Sequence, residues 1–122
     1  MPVEKWSDNV IVVRLAEDPH LEEDLDALEA AVAQPAGQAA GPLSAVVDFT
    51  GVRAVNSSTL GRMIKVRRQM NAGNARLILC GMNDQVWGAF LVTNLDKLFD
   101  VSDSVATALA RLQLQPMPRP PA

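Results

Sequence analysis

The sequence predicts an α/β fold, a four- to five-stranded mixed β-sheet with about four helices packed on it, and three observations carry that reading. Apolar runs over residues 10–15, 43–49 and 75–81 are too short for helices of their own, and they alternate with segments whose apolar residues recur every three or four positions. Turn residues and helix caps fall between these segments, as the alternation requires. A chain of 122 residues fits one compact domain, since a chain of this size buries roughly two-thirds of the surface it exposes when unfolded.

At the N-terminus Trp6 and the pair Asp8-Asn9 precede Val10-Ile11-Val12-Val13-Arg14-Leu15, which predicts a first short strand turning into a second. From Leu21 the apolar positions Leu21, Leu25, Leu28, Ala31 and Val32 keep helical spacing. Glu22, Glu23, Asp24 and Asp26 occupy the first turns of that helix, where the dipole favours anions. The helix is expected to end near Gln34-Pro35, with a loop over 37–42. Residues 43–49, Leu-Ser-Ala-Val-Val-Asp-Phe, are closed by Thr50-Gly51 and read as a buried strand whose carboxyl end lies near Asp48.

The polar cluster Asn56-Ser57-Ser58-Thr59 then opens a helix from about Ser58 to Met70, with Leu60, Met63, Ile64, Arg67 and Met70 on one side, and Asn71-Ala72-Gly73-Asn74 stops it. Residues 75–81 read as a central strand. Asn83-Asp84 caps a helix carrying Val86, Phe90 and Leu91, and Asn94 supplies its left-handed end. Residues 95–101 read as a short extended piece, and Ser102-Asp103-Ser104 caps a last helix with Val105, Leu109 and Leu112. The chain is read as a single domain over 1–113 followed by a Pro-rich flexible tail over 114–122.

Composition excludes several classes of function. Lys+Arg 11 against Asp+Glu 14 leaves a net charge of -3, which argues against an electrostatic footprint for direct nucleic-acid binding. Cys80 is the only cysteine, so neither an internal disulfide nor a cysteine-based zinc site is available. His20, the single histidine, lies beside Pro19 at the start of an acidic helix, and no Ser-His-Asp relay or histidine metal cluster can be assembled around it. The glycines form no GxGxxG or P-loop pattern. The first residues carry Glu4, Lys5, Asp8 and Asn9, no signal-peptide core, and no stretch approaches ~20 apolar residues, so membrane insertion is not expected and the chain is read as cytoplasmic. The sum is a non-enzymatic binding domain without cofactor or metal, working on a protein partner.

The most informative stretch is Val46-Val47-Asp48-Phe49-Thr50-Gly51-Val52-Arg53-Ala54-Val55-Asn56-Ser57-Ser58-Thr59-Leu60-Gly61, where a strand, a tight turn and a helix start converge on hydroxyl groups. It resembles the anti-sigma factor antagonist domain, the STAS family, whose pattern is an apolar strand ending in Asp, a short Gly-containing turn, then Asp-Ser-Ser/Thr-Gly-Leu opening a helix. The resemblance continues through Asn71-Ala72-Gly73, Leu77-Ile78-Leu79, Gly81, Leu95-Asp96-Lys97-Leu98-Phe99 and Ser104-Val105-Ala106-Thr107-Ala108-Leu109, and so covers about residues 10–112. It implies a bacterial partner-switching protein that binds an anti-sigma factor doubling as a serine kinase, with Ser57 at the family's phosphorylation position. Asn56 stands where the family usually has Asp, and Thr59 where it usually has Gly.

Apart from any family, a phosphate on Ser57 would add about -1.5 to -2 charges at the positive end of a helix, a place that tolerates anions while changing the surface offered to a partner. Asn56, Ser57, Ser58, Thr59 and Arg62 are the expected partner contacts; Arg62, Lys65 and Arg68 are spaced to lie along one side of the helix. The same residues also suit plain N-capping and a solvated helix face. Two further classes remain open. One is a binding subunit without a phosphorylation cycle, such as the small component of a lipid-transport ATPase or a signalling scaffold. The other is a response-regulator receiver built on Asp48, with Glu17-Asp18 and Lys97 as companions; against it, Asp48 suits the cap of the Thr50-Gly51 turn.

Overall fold

The computed structural model describes residues 3–7, 10–16, 20–32, 44–72 and 75–114. The strands β1 (Val3–Ser7), β2 (Val10–Ala16), β3 (Ser44–Gly51), β4 (Leu77–Cys80) and β5 (Asp100–Ser102) form one five-stranded sheet in the order β1-β2-β3-β4-β5. β1 runs antiparallel to β2 and the other three pairings are parallel, so the sheet is mixed as the sequence predicts. Helices α1 (Leu21–Val32), α2 (Ser57–Ala72) and α3 (Asp84–Val92) connect successive parallel strands, and α4 (Val105–Leu114) follows the last.

A sheet wound steadily in one direction by crossovers of one hand carries all its crossover helices on one face. The packing has that form. Ile11, Val13 and Leu15 of β2, Ala45, Val47 and Phe49 of β3, and Leu77 and Leu79 of β4 meet Leu25 and Leu28 of α1, Met63 and Val66 of α2, and Val86 and Phe90 of α3. Phe90 meets Phe49 and Phe99 edge to face, with ring centroids 6.2 and 5.6 Å away. The alternate residues Val10, Val12, Val46, Ile78 and Cys80 point to the opposite face, where α4 covers them with Ala108 and Leu112. Burial on both faces is why these strands read as continuous apolar runs instead of alternating ones.

Toward the carboxyl ends of the strands the α4 face turns polar. Arg14, Asp48, Cys80 and Ser102 are successive cross-strand partners from β2 to β5. Arg14 pairs with Asp48 at 3.1 Å, and Arg111 of α4 donates to the Ser102 hydroxyl at 2.8 Å. Within this row burial pushes the Cys80 thiol up to about 12, reinforced by the charge of Asp48 and opposed by that of Arg14. A folded-state pKa raised above the unfolded one stabilises the fold fully below the unfolded value. That contribution is lost as pH rises from the ordinary thiol range near 9.0 toward about 12. The expected outcome is that Cys80 resists a thiol reagent at pH 8 in the native protein and reacts readily once the protein is denatured, as followed by mass spectrometry.

Three elements differ from the sequence reading. Residues 95–101 are not one extended piece: Leu95–Lys97 is a 3-10 turn, because Asn94 at φ 61° reverses the chain after α3 and the Leu98 N–H closes on the Leu95 carbonyl at 2.9 Å. Extended backbone resumes only at Asp100. α2 begins at Ser57 and runs to Ala72, and the Ala75 N–H returns to the Met70 carbonyl at 2.8 Å. Leu114 still belongs to α4. The expected turn at Asp8-Asn9, the end of the first helix near Gln34-Pro35, the loop over 37–42, Gly73-Asn74 and the Pro-rich tail from 115 lie outside the described residues. Among the described residues no helix is long and apolar enough to cross a membrane.

Candidate functional site

The site grows from the carboxyl end of β3. Asp48 Oδ1 accepts from the Thr50 N–H at 2.9 Å and from the Thr50 hydroxyl at 2.5 Å, while Oδ2 takes the Arg14 guanidinium. Asp48 therefore has the arrangement of a turn cap, with both carboxylate oxygens engaged. Of the companions a receiver would need, Glu17-Asp18 lie outside the described residues and Lys97 sits in the 3-10 turn. Among the described residues no group of three or more His, Cys, Asp and Glu side chains is placed to hold a metal ion.

The chain leaving this turn is clamped from the β4 side. Gly81 has φ +72° and lies so close to Asp48 and Thr50 that a Cβ would run into both side chains. Two residues later Asn83 caps α3, its Oδ1 accepting from the Val86 N–H at 2.8 Å. Its amide nitrogen donates to the carbonyls of Val52 at 3.4 Å and Arg53 at 3.0 Å. One asparagine thus starts α3 and holds the β3–α2 loop. The sequence marks Asn83 as a cap, but a capping pattern reports only the oxygen's local partner; the carbonyls it donates to are 30 and 31 positions away.

The loop delivers Asn56 to the N-cap of α2. Asn56 Oδ1 accepts from the Thr59 N–H at 2.9 Å and from the Thr59 hydroxyl at 3.2 Å, and its carbonyl accepts from the Leu60 N–H at 3.1 Å. Successive residues of the first turn are rotated by about 100°. Asn56, Ser57 and Ser58 consequently face solvent, and Thr59 turns into the core with 1% of its surface exposed. The Ser57 hydroxyl forms no hydrogen bond among the described residues and stands at the first helical position, beside free N–H groups and the positive end of the dipole.

Two of the expected contact residues have their side chains engaged within the domain. Thr59 is buried, because the hydroxyl that reads as surface chemistry is consumed by the Asn56 cap. Arg62 lies one turn further along and reaches α1: its Nε donates to Glu29 at 2.7 Å, Nη1 to Glu22 at 3.1 Å and Nη2 to Asp26 at 2.5 Å. Burial works against the Arg62 charge, but hydrogen bonds to Glu29 and Asp26 outweigh it and hold the guanidinium above its usual pKa. Arg62 is a strut between α1 and α2. Lys65 lies 3.8 Å from Glu29 with most of its side chain in solvent, and Arg68 is exposed. The residues left exposed around the start of α2 are Arg53, Ala54, Asn56, Ser57, Ser58 and Gly61.

A family model described as the STAS domain matches residues 7–108. No curated protein sequence matches the chain significantly. Among solved structures, the chain is similar to Moorella thermoacetica RsbS, with 18% identity, TM-score 0.76, and coverage of 96% of this chain and 100% of that one. An anti-sigma-factor antagonist (STAS) domain protein from Planctomyces limnophilus is 17% identical, with TM-score 0.75 and coverage of 91% and 97%. The Bacillus cell fate determinant SpoIIAA, in its phosphorylated form, is 18% identical, with TM-score 0.65 and coverage of 90% and 96%. At such identities the structural likeness speaks for the fold.

Proposed function

We propose that this chain, which belongs to the STAS domain family, is an anti-sigma factor antagonist whose grip on its protein partner is released by phosphorylation of Ser57. The observation that carries the proposal is the outward hydroxyl of Ser57 at the first position of α2, on a loop held in place by Asn83. A relative of the same fold is known in a phosphorylated form, which supports the reading without identifying the residue here.

In the proposed cycle the unmodified domain docks its Asn56, Ser57 and Ser58 surface on an anti-sigma factor and sequesters it. The same partner, acting as a kinase, passes the terminal phosphoryl group of ATP to Ser57 Oγ, the hydroxyl proton leaves, and ADP departs. The new dianion lies at the positive end of α2, so the domain tolerates it. The partner's surface was shaped for a neutral hydroxyl and faces an unpaired, strongly hydrated charge. Asn56 keeps the capping role of the family's usual Asp and removes a like charge from beside the phosphate.

Intact-mass measurement after incubation with the cognate anti-sigma kinase and ATP is expected to show one added phosphate, absent in Ser57→Ala and retained in Ser58→Ala. Phosphate on another residue would overturn the role of Ser57. Stable binding with no phosphate added, or a pull-down that recovers transporter subunits, would favour the second reading of the same surface, a binding subunit without a phosphorylation cycle.

A further inference from the structure

A second site lies at the opposite end of α2 from Ser57. A cleft of about 240 Å³ opens between the last turns of α2 and the amino ends of β4 and β5, lined by Arg67, Asn71, Arg76, Leu98 and Asp100 among others. We propose that this cleft binds a small oxyanion of the phosphate class.

Three features of the cleft select that ligand. The first is an unmet donor: Arg76 Nη1 is buried and has no hydrogen-bond acceptor among the described residues. A buried guanidinium nitrogen without an acceptor is costly, so the partly exposed Arg76 side chain gains by moving to meet one. The second is a local excess of positive charge. Arg67 and Arg76 line the cleft, and the one carboxylate there, Asp100, is shared, lying 3.7 Å from Arg76 Nη2 and 4.0 Å from Arg111 Nη2. Two guanidinium groups thus line the cleft against one carboxylate, on which Arg111 outside the cleft also draws.

The third feature is orientation. Arg67 donates its Nε to the Leu98 carbonyl at 2.6 Å, which anchors its stem beside the opening. A guanidinium fixed in this way loses little freedom on binding, and its planar fork matches two oxygens of one oxyanion. The α2 carboxyl end works in the opposite sense, but its partial charge of about -0.5 is smaller than the one net positive charge that Arg67 and Arg76 leave over Asp100. The volume suits phosphate or a short phosphoester better than a nucleotide, since pockets for drug-sized ligands start at about 300 Å³.

The test is a titration of the full chain with inorganic phosphate at constant ionic strength, followed by NMR of the arginine Nε–H signals, with chloride as the control anion. Saturable shifts of Arg67 and Arg76 are expected. Arg76→Gln should weaken binding about tenfold or more, because a hydrogen bond to a charged group is worth at least a decade in affinity. Arg67→Gln should do likewise and serves if Arg76→Gln fails to fold. Arg68→Gln, which changes an exposed arginine outside the cleft, should leave binding unchanged. Parallel titration with glycerol phosphate distinguishes a free anion from an ester: equal binding means that the oxyanion alone is recognised, tighter binding of the ester means that Leu98 and its neighbours contribute. Equal shifts with chloride, equal weakening by Arg68→Gln, or no saturation with either phosphate would overturn the proposal.

Discussion

Ser57→Asp is expected to weaken binding of the anti-sigma partner by about 100-fold while leaving the domain as stable as the parent or slightly more so. Both halves come from one geometry. Within the domain, a negative charge at the first position of α2 meets the dipole and free N–H groups, a favourable interaction of about 0.3–1 kcal/mol near a helix start. Across an interface the same charge must be buried without a counter-charge. Leaving one member of a charged contact unpaired costs about 2–5 kcal/mol, which brackets the factor stated. Calorimetric titration of the partner and thermal unfolding of the variant measure the two halves separately. Parent-like affinity in both Ser57→Asp and the phosphorylated protein would remove Ser57 from the switch. Weakened binding with a large loss of stability would mean that the charge acts by damaging the fold.

Gly81→Ala is expected to destabilise the protein by about 2–4 kcal/mol, read as a lower urea midpoint at unchanged slope. The backbone there has φ +72°, a conformation that costs an L-residue about 1 kcal/mol or more. The added methyl group would also collide with Thr50 Oγ1 and Asp48 Oδ1, which themselves form the β3 turn. Relief requires that turn to move, and with it the loop leading to Asn56. Gly88→Ala is the contrasting case: a Cβ at that position of α3 meets nothing within 4 Å, so the change should be neutral or stabilising by up to ~1 kcal/mol. Equal costs at the two glycines would show that backbone conformation and space at Gly81 are not what matters.

These expectations show where the sequence was readable. Apolar run length and cap residues reveal α2, α3 and β3 because those signals are local: Asn56 and Asn83 cap the helices they precede. The resemblance to the STAS family in the stretch around Ser57 agrees with the family match over residues 7–108. Contacts between distant residues were not readable. Arg62 looks like part of a basic helix face until α1 brings Glu22, Asp26 and Glu29 to it from 40, 36 and 33 positions away. Thr59 looks like one more exposed hydroxyl, although the helical rotation after the cap carries it inward. The path of the segment before β5 is hidden for a related reason. Leu95, Leu98 and Phe99 keep helical spacing over a segment too short to be told from a strand, and the left-handed Asn94 decides its path.

The order of the strands has a consequence for biosynthesis. Position in the sheet is also order of translation, from β1 to β5 without a skip. Each new strand can therefore be laid against an edge already in place while the chain is still leaving the ribosome, and no earlier element has to wait for a later one to be inserted beside it. Until β5 arrives the growing edge stays open, so a nascent chain stalled after β4 would present an unpaired strand to its neighbours.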